Sequence, residues 1–403
     1  MKKQDIFANY DKYILSTYTR TPAVFVKGKG MVLTDISGKK YLDFFPGWGV
    51  NNVGHCHPKV MSAVRDQVSK LIHIPNNFYH PNQVKLAKEI IRCSFPGKVF
   101  FCNSGAEGCE AAIKFARAYG NRCASEADAS KPRYKVITMK GSFHGRTLGA
   151  LAATGQEKYQ RGFQPLPSGF QAVDFNDIDA LKAAVDDETV AVMMELVQGE
   201  GGVNIADKGY VEAVKRVCDE RQLLLIFDEV QTGMGRTGEM FAFKHYGVNP
   251  DLMVLAKALG GGLPIGALVA RDAIADTFKP GMHASTFGGS PLVCKAALGT
   301  FKAIHSGKML RNTKVMGAYM LERLKELQGL FSCIADVRGL GLMIGIELNI
   351  EGAPIVEECF KNGLIINCTQ GNILRFMPAL NVTKKQANKA LYILENAFRK
   401  LAG

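Results

Sequence analysis

Leu223-Leu224-Leu225-Ile226-Phe227-Asp228-Glu229-Val230-Gln231-Thr232-Gly233 is a run of five apolar residues that stops at a carboxylate. A short apolar run without alternation reads as a strand buried on both faces of a parallel sheet. A second run, Asp251-Leu252-Met253-Val254-Leu255-Ala256-Lys257, ends on an amine and opens into Gly260-Gly261-Gly262. Neighbouring strands of this kind deliver an acid and an amine to one edge of one sheet. In open parallel sheets that edge, at the carboxyl ends of the strands, is where ligands bind.

Working outward, residues 61–300 alternate strand and helix. Strands are expected at Lys98–Cys102, Tyr134–Met139, Val190–Glu195, Leu223–Phe227, Leu252–Ala256 and Gly266–Ala270, with a helix over Ala106–Tyr119. This rhythm predicts an α/β fold, a large domain whose mostly parallel sheet is flanked by helices. Residues 1–60 read as an arm and a hairpin (Val24–Gly30, Val32–Asp35, Gly38–Asp43). They are expected to pack with a smaller α+β domain over 301–403. That part begins in a helical stretch running from Pro291 to about 328. It continues in short strands at Ile344–Leu348, Gly363–Ile366 and Ile373–Phe376, then a final helix.

The bulk properties narrow the function. The chain has 403 residues, 47% apolar and 22% charged, as in ordinary globular proteins. No apolar run approaches the ~20 residues of a membrane span, and Met1-Lys2-Lys3-Gln4-Asp5-Ile6 has no apolar signal core. A cytoplasmic protein with no membrane partner is expected. The ten cysteines show no Cys-x-x-Cys spacing, so reduced thiols and no metal are expected. The net charge of +13 is dispersed, with no basic helix or stacking platform. It fits anionic small substrates better than nucleic acid.

Three segments carry chemistry. Asn103-Ser104-Gly105-Ala106-Glu107-Gly108 follows a strand and opens a helix, where free N–H groups suit a phosphate; taken alone, such a turn is more often only an N-cap. Gly141-Ser142-Phe143-His144-Gly145-Arg146-Thr147 follows another strand. Phe143 there can stack on an aromatic cofactor, and Arg146 can fork a carboxylate, although such residues are usually core and solvated surface respectively. Asp228 singly can cap a turn, and Lys257 singly can be a surface lysine. Together, beside a buried sheet, an acid and an amine need partners. A pyridinium nitrogen and a cofactor aldehyde are such partners, the protein's half of pyridoxal-phosphate chemistry.

With these residues in view the chain resembles the fold-type I pyridoxal-phosphate enzymes, in particular the class III aminotransferase family. The likeness runs from Gly54-His55-Cys56-His57-Pro58 to Leu374-Arg375-Phe376-Met377-Pro378. It includes Asn103–Glu107, Ser142–Thr147, Gln198-Gly199-Glu200-Gly201-Gly202, Phe227–Gly238 and Ser285-Thr286-Phe287-Gly288-Gly289. The resemblance implies that Lys257 bonds the cofactor aldehyde and that Asp228 pairs with its ring nitrogen. Gln231 would reach the ring oxygen, with Glu229 and Val230 beside it in the cofactor cradle. Ser104, Gly105 and Ala106 would bind the phosphate, and Phe143 would stack on the ring. It further implies a homodimer with active sites at the interface, where Thr286 reaches the neighbouring phosphate and Ser285 the neighbouring substrate. Arg375 would take the α-carboxylate of the keto acid and Arg146 a second carboxylate. Glu200 would pair with Arg375 as a gate.

The implied reaction moves the δ-amino group of N2-acetylornithine to 2-oxoglutarate, giving N-acetylglutamate semialdehyde and glutamate, in arginine biosynthesis. Within the family, Phe143-His144 and the chain length are most similar to enzymes of that reaction. Ornithine, succinylornithine, succinyl-diaminopimelate and 4-aminobutyrate are the alternative donors. A cofactor-binding regulator without turnover is the reading of a different class. Lys257 is present and no DNA-binding segment is visible, which favours the enzyme. Three places depart from the family pattern: Ala106 and Gly108 in the phosphate turn, Leu196-Val197 before Gln198, and Trp48. Trp48 is expected near the substrate's far end, where ornithine aminotransferases are expected to carry a tyrosine.

Overall fold

A computed structural model describes residues 1–126 and 132–401, with side chains left aside for 124–126. The core is a seven-stranded sheet ordered Gly97–Cys102, Gly266–Arg271, Leu252–Leu255, Leu224–Asp228, Thr189–Met194, Lys135–Met139 and Phe170–Val173. The strand Leu224–Asp228 runs parallel to both neighbours, with Ile226 opposite Leu252 and Leu225 opposite Val192. Its side chains alternate between two apolar clusters. Leu224 and Ile226 enter one, and Leu225 and Phe227 the other. Both faces are therefore covered, which is why the sequence shows an unbroken apolar run instead of alternation. Burial of each such side chain contributes on the order of 1.5–3 kcal/mol.

One strand departs from the parallel expectation. Gly266–Arg271 is antiparallel to Leu252–Leu255 and to Gly97–Cys102. Only the segment 256–265, with one 3-10 turn at Lys257–Gly260, links it to the lysine strand. A parallel return needs a crossover of a dozen residues or more, so this connection enforces an antiparallel one.

The helix Gly105–Glu126 packs across strands Leu252–Leu255 and Gly266–Arg271. The helical stretch expected from Pro291 consists of two helices, Pro291–Ser306 and Met309–Leu330. They part at Gly307 and Lys308, the latter left-handed at φ +51. The N-terminal arm begins with a helix, Lys3–Tyr13, that buries none of its residues.

Two smaller sheets stand beside the main one. Phe25–Lys29, Val32–Asp35 and Lys40–Asp43 form antiparallel pairs, and Leu364–Ile365 adds in parallel to Lys40–Asp43. Ile334–Leu340, Met343–Leu348, Ile373–Phe376 and Asn367–Thr369 form the C-terminal sheet. Arg236, fully buried, bridges the loop after Asp228 to this part. Its guanidinium donates to the carbonyls of Leu342 (2.9 Å) and Pro378 (2.6 Å) and to Asn52. Burial without a carboxylate partner pulls its pKa down to about 9. Among the described residues no helix is long and apolar enough to cross a membrane.

Candidate active site

Five segments meet at the carboxyl edge of the main sheet: the turns that begin at Asn103, Lys140, Glu195, Asp228 and Lys257. Lys257, Asp228, Gly105, Ala106, Phe143, Arg146, Glu200, Val230 and Gln231 line one cavity of about 230 Å³ there, with His144, Gly145 and Glu195. Acid and amine, read from two separate runs, thus share a cavity because their strands are parallel neighbours.

Lys257 stands in a left-handed backbone conformation, φ +42, at the second position after its strand, where a 3-10 turn begins. For a residue with a side chain this costs on the order of 1–3 kcal/mol, which the surrounding packing sustains. Burial lowers the pKa of its amine, against the opposing pull of Glu200, Asp228 and Glu195. The neutral, nucleophilic form is therefore favoured relative to a free lysine.

Asp228 is 4% exposed. Its Oδ2 lies 2.7 Å from His144 Nδ1 and accepts from Cys109 Sγ at 3.4 Å, and its Oδ1 accepts from the Val230 N–H at 3.0 Å. Burial opposes charge on His144, but contact with the Asp228 carboxylate outweighs it and raises the imidazole's pKa above the usual value. The aspartate is therefore fixed in orientation from behind. His144, quoted in the sequence only as part of a matching segment, is a residue whose role residue-by-residue reading missed. Glu195 was also missed, though its signal was in plain view. Thr189–Met194 is a third apolar strand that ends at a carboxylate. Glu195 Oε2 accepts from the Phe143 N–H at 2.9 Å, and burial raises its pKa.

The turn expected to bind a phosphate is closely packed around its glycines. Gly105 opens a 22-residue helix whose first N–H groups lack intrahelical partners. A Cβ at Gly105 would come within 2.9 Å of Val230, and one at Gly145 within 2.8 Å of Ala106. The Ser104 hydroxyl accepts from the Glu107 N–H at 3.2 Å, so here it serves as the helix cap.

Arg375 is 1% exposed, and it forks the Glu200 carboxylate at 2.7 and 3.2 Å. It also donates to Asn367 Oδ1 (2.8 and 2.6 Å) and to the Gly199 carbonyl (2.9 Å), and it lies over the Phe45 ring at 4.8 Å. Burial alone would raise the Glu200 pKa, but Arg375 in contact holds it below the usual value. Arg146 is exposed and lies over the Tyr159 ring at 4.2 Å and the Phe143 ring at 5.5 Å, with Phe143 edge-on to Tyr159.

Four expected site residues lie elsewhere. The Glu229 side chain turns away from the cavity and accepts from Thr232 Oγ1 and the N–H groups of Ala242 and Phe243. Successive residues leaving a strand point to opposite sides, so Asp228 and Glu229 cannot both face the cofactor. Ser285 and Thr286 line a different cavity, of about 340 Å³, with Asn103 and Glu107. Ser285 Oγ accepts there from Asn103 Nδ2 and the Gly288 N–H, each at 3.1 Å. Trp48 is 49% exposed, in a left-handed conformation, and packs edge-on against Phe45, one ring removed from Arg375.

Two clusters among the described residues have ligand-type atoms within 4.8 Å of one another. In Glu89–Cys93–His305 the Arg92 guanidinium already bonds Glu89 (2.6 Å) and His305 (3.1 Å), standing where a cation would sit. In Cys109–His144–Asp228 the three form the hydrogen-bonded network behind the aspartate.

The site's vacant valences fit a pyridine cofactor carrying a phosphate. Gln231 Oε1 is buried with no partner, an acceptor that a ring hydroxyl would satisfy. Asp228, Lys257 and the open helix start surround the same space.

The model of the family described as "Aminotransferase class-III" matches residues 13–398. The acetylornithine aminotransferase of Methanocaldococcus jannaschii is 51% identical over 392 residues, 97% of either chain. That of Caldanaerobacter subterraneus is 50% identical over 97% of this chain and 98% of its own. Among solved structures, the ornithine aminotransferase of Toxoplasma gondii superposes with a TM-score of 0.95 at 32% identity, covering 100% of this chain and 96% of its own. The acetylornithine aminotransferase of Elizabethkingia anophelis does so with 0.88 at 30%, covering 100% of both. With the acid strand, the lysine strand and their shared cavity accounted for, the chain belongs to the class-III aminotransferase family of fold-type I, pyridoxal-phosphate-dependent enzymes.

Proposed function

We propose that the enzyme transfers the δ-amino group of N2-acetylornithine to 2-oxoglutarate, a step of arginine biosynthesis, as a cytoplasmic homodimer whose sites lie at the subunit interface. The observation that carries this reading is the Glu200–Arg375 pair at the cavity that holds Lys257. One site has to accept a cationic amine and then a dianionic keto acid. A carboxylate that neutralises the arginine for the first and leaves it for the second meets both demands. The names of the relatives point to the acetylated donor.

In this reading the bound cofactor supplies the electron sink for the electrons released at the substrate carbon. Lys257 takes and returns the proton between substrate and cofactor carbons as general acid and base. Asp228, backed by His144, would hold the ring-nitrogen proton, and Gln231 would hydrogen-bond the ring oxygen. Phe143, with its backbone fixed by Glu195, would stack on the ring. Arg375 and Arg146 fork the two carboxylates of the keto acid. Ser285 and Thr286, on their separate cavity, serve the neighbouring subunit's site. Residues 1–60, 61–300 and 301–403 act as arm, cofactor-binding domain and small domain.

Mixing the cofactor-loaded enzyme with single amines, and following the cofactor's absorbance, tests the donor. Acetylornithine is expected to react fastest, ahead of ornithine and 4-aminobutyrate. A tenfold advantage for ornithine, about 1.4 kcal/mol of transition-state binding, would reject the donor and keep the aminotransferase. Trp48→Tyr is expected to narrow the preference, since it replaces a broad apolar face by a hydroxyl that can meet a free α-carboxylate.

Arg375→Ala tests the fork. Loss of one partner from a buried charged pair costs about 2–5 kcal/mol, so the 2-oxoglutarate half-reaction should fall by more than about 30-fold in kcat/KM. The acetylornithine half-reaction, in which Glu200 only screens the arginine, should fall less than about tenfold. Equal losses in the two halves count against the gate.

A further inference from the structure

The segment that carries the gate is held in an unusual way. Each of its four consecutive carbonyls accepts from a side chain. Gly199 O accepts from Arg375 Nη1 at 2.9 Å, and Glu200 O from Thr369 Oγ1 at 2.9 Å and Gln370 Nε2 at 2.5 Å. Gly201 O accepts from Asn204 Nδ2 at 3.1 Å, and Gly202 O from Arg338 Nη2 and Nε at 2.8 and 3.1 Å. Apart from Asn204, these donors stand on the C-terminal sheet or the turn between two of its strands, Asn367–Thr369 and Ile373–Phe376. Gln370 occupies that turn in a left-handed conformation, φ +55, which an ordinary side chain adopts at a cost. Its amide also donates to Gln156 Oε1 at 3.0 Å, and Gln156 in turn donates to Gly141 O and Ser142 O at 3.1 Å each. The turn is thereby tied to the loop that carries Phe143 and His144.

The small residues on either side of Glu200 leave no slack. A Cβ on Gly199 would fall 1.6 Å from Gln231 Oε1, and one on Gly201 would fall 2.6 Å from Gly141 O. Gly202, at φ +118, has a conformation suited to glycine. The glycines that usually signal a flexible hinge are here glycines of close approach.

We propose that Thr369, Gln370 and Arg338 are positioning residues that clamp the backbone of Gly199–Gly202, so that the gate works by rotation of the Glu200 side chain alone. This rests on the gate reading above. The clamp sets the carboxylate at forking distance from Arg375 when the amine is bound. It also returns it there after the keto acid leaves, since the backbone has nowhere else to go. Without the clamp the arginine is left uncovered for part of the time, and the enzyme favours donors whose α-carboxylate uses it directly. Thr369 and Gln370 are therefore determinants of donor specificity, although they act only through Glu200.

The test compares two amino donors in half-reactions of the cofactor-loaded enzyme: acetylornithine, which uses the closed gate, and glutamate, which uses the open one. The readout is the ratio of their kcat/KM values. In Thr369→Val/Gln370→Ala the ratio should fall about tenfold, mostly through acetylornithine, and Arg338→Met should move it the same way. Thr369→Ser, which keeps the hydroxyl, should leave it within about twofold. Glu200→Ala is the control for the gate and should also lower the ratio. If Glu200→Ala lowers it and the double variant does not, the clamp is refuted and the gate stands. If Glu200→Ala leaves it unchanged, the gate falls and the clamp with it. An equal loss for both donors in the double variant, the mark of general structural damage, also overturns the proposal.

Discussion

Lys257→Ala should abolish turnover, with a loss of at least about 10³-fold in both half-reactions, while the protein still binds its cofactor. Two contributions disappear together. In the proposed reading the amine that bonds the cofactor aldehyde is gone, and so is the group that carries the proton between carbons, a role worth about 10²–10⁴-fold. Binding should survive because the other contacts do not involve the lysine. The open start of the helix Gly105–Glu126, the Asp228–His144 pair and Gln231 remain at the cavity when the lysine is removed. The lysine's strained backbone points the same way, since alanine at φ +42 meets the same restriction and gains no new freedom. The measurement has two parts. Borohydride, which makes the bond between lysine and cofactor permanent, should leave the cofactor's mass on the Lys257 peptide of the wild type and on no peptide of the variant. Cofactor found on another lysine would overturn the assignment. Added methylamine should restore part of the activity by replacing the lost amine.

The part of the site that could be read from the sequence is the part built by strand ends. Asp228 and Lys257 terminate apolar runs, and in a parallel sheet such termini must meet at one edge. Glu195 follows the same rule and was legible on the same grounds. What could not be read depends on direction and distance. An apolar run does not encode which way its strand runs, so the antiparallel Gly266–Arg271 emerges only from the short connection before it. Glu229 was placed in the cradle by resemblance alone, although alternation past the strand's end turns it away from Asp228's side, toward the loop at Ala242 and Phe243. Thr369 and Gln370 meet Glu200 across 169 and 170 positions, and no local signal joins them. Ser285 and Thr286 line a cavity apart from Lys257 in a single chain, so only the family resemblance could assign them to a site.

Asp228→Asn should leave the fold in place and slow both half-reactions by about 10²-fold or more in kcat. The substitution is close to isosteric. The Oδ1 position can still accept from the Val230 N–H, and the strand Leu224–Phe227 beneath it is undisturbed. What is lost is the negative charge. A neutral amide cannot hold a proton on a pyridine nitrogen, so the ring withdraws electrons less well at every step that forms charge on the substrate carbon. The effect extends one residue further back. His144 is buried, which lowers its pKa, but the Asp228 carboxylate, with a smaller pull from Glu195, outweighs burial and raises it above the usual value. With asparagine opposite, only the weaker pull of Glu195 opposes burial, and the imidazole pKa should fall. The sign matters for pH. In the wild type the charged imidazole persists to higher pH than that of a free histidine, and in the variant it should lose its proton at lower pH than in the wild type. The imidazole's titration, followed by NMR, therefore provides a readout apart from activity. The expected kinetic pattern also differs from that of Arg375→Ala. The loss at Asp228 should be alike for acetylornithine and 2-oxoglutarate, because both use the same ring, whereas loss of the arginine should divide them. Near-normal rates in the variant, or a loss confined to one substrate, would show that the carboxylate supports the structure or the substrate and not the cofactor nitrogen.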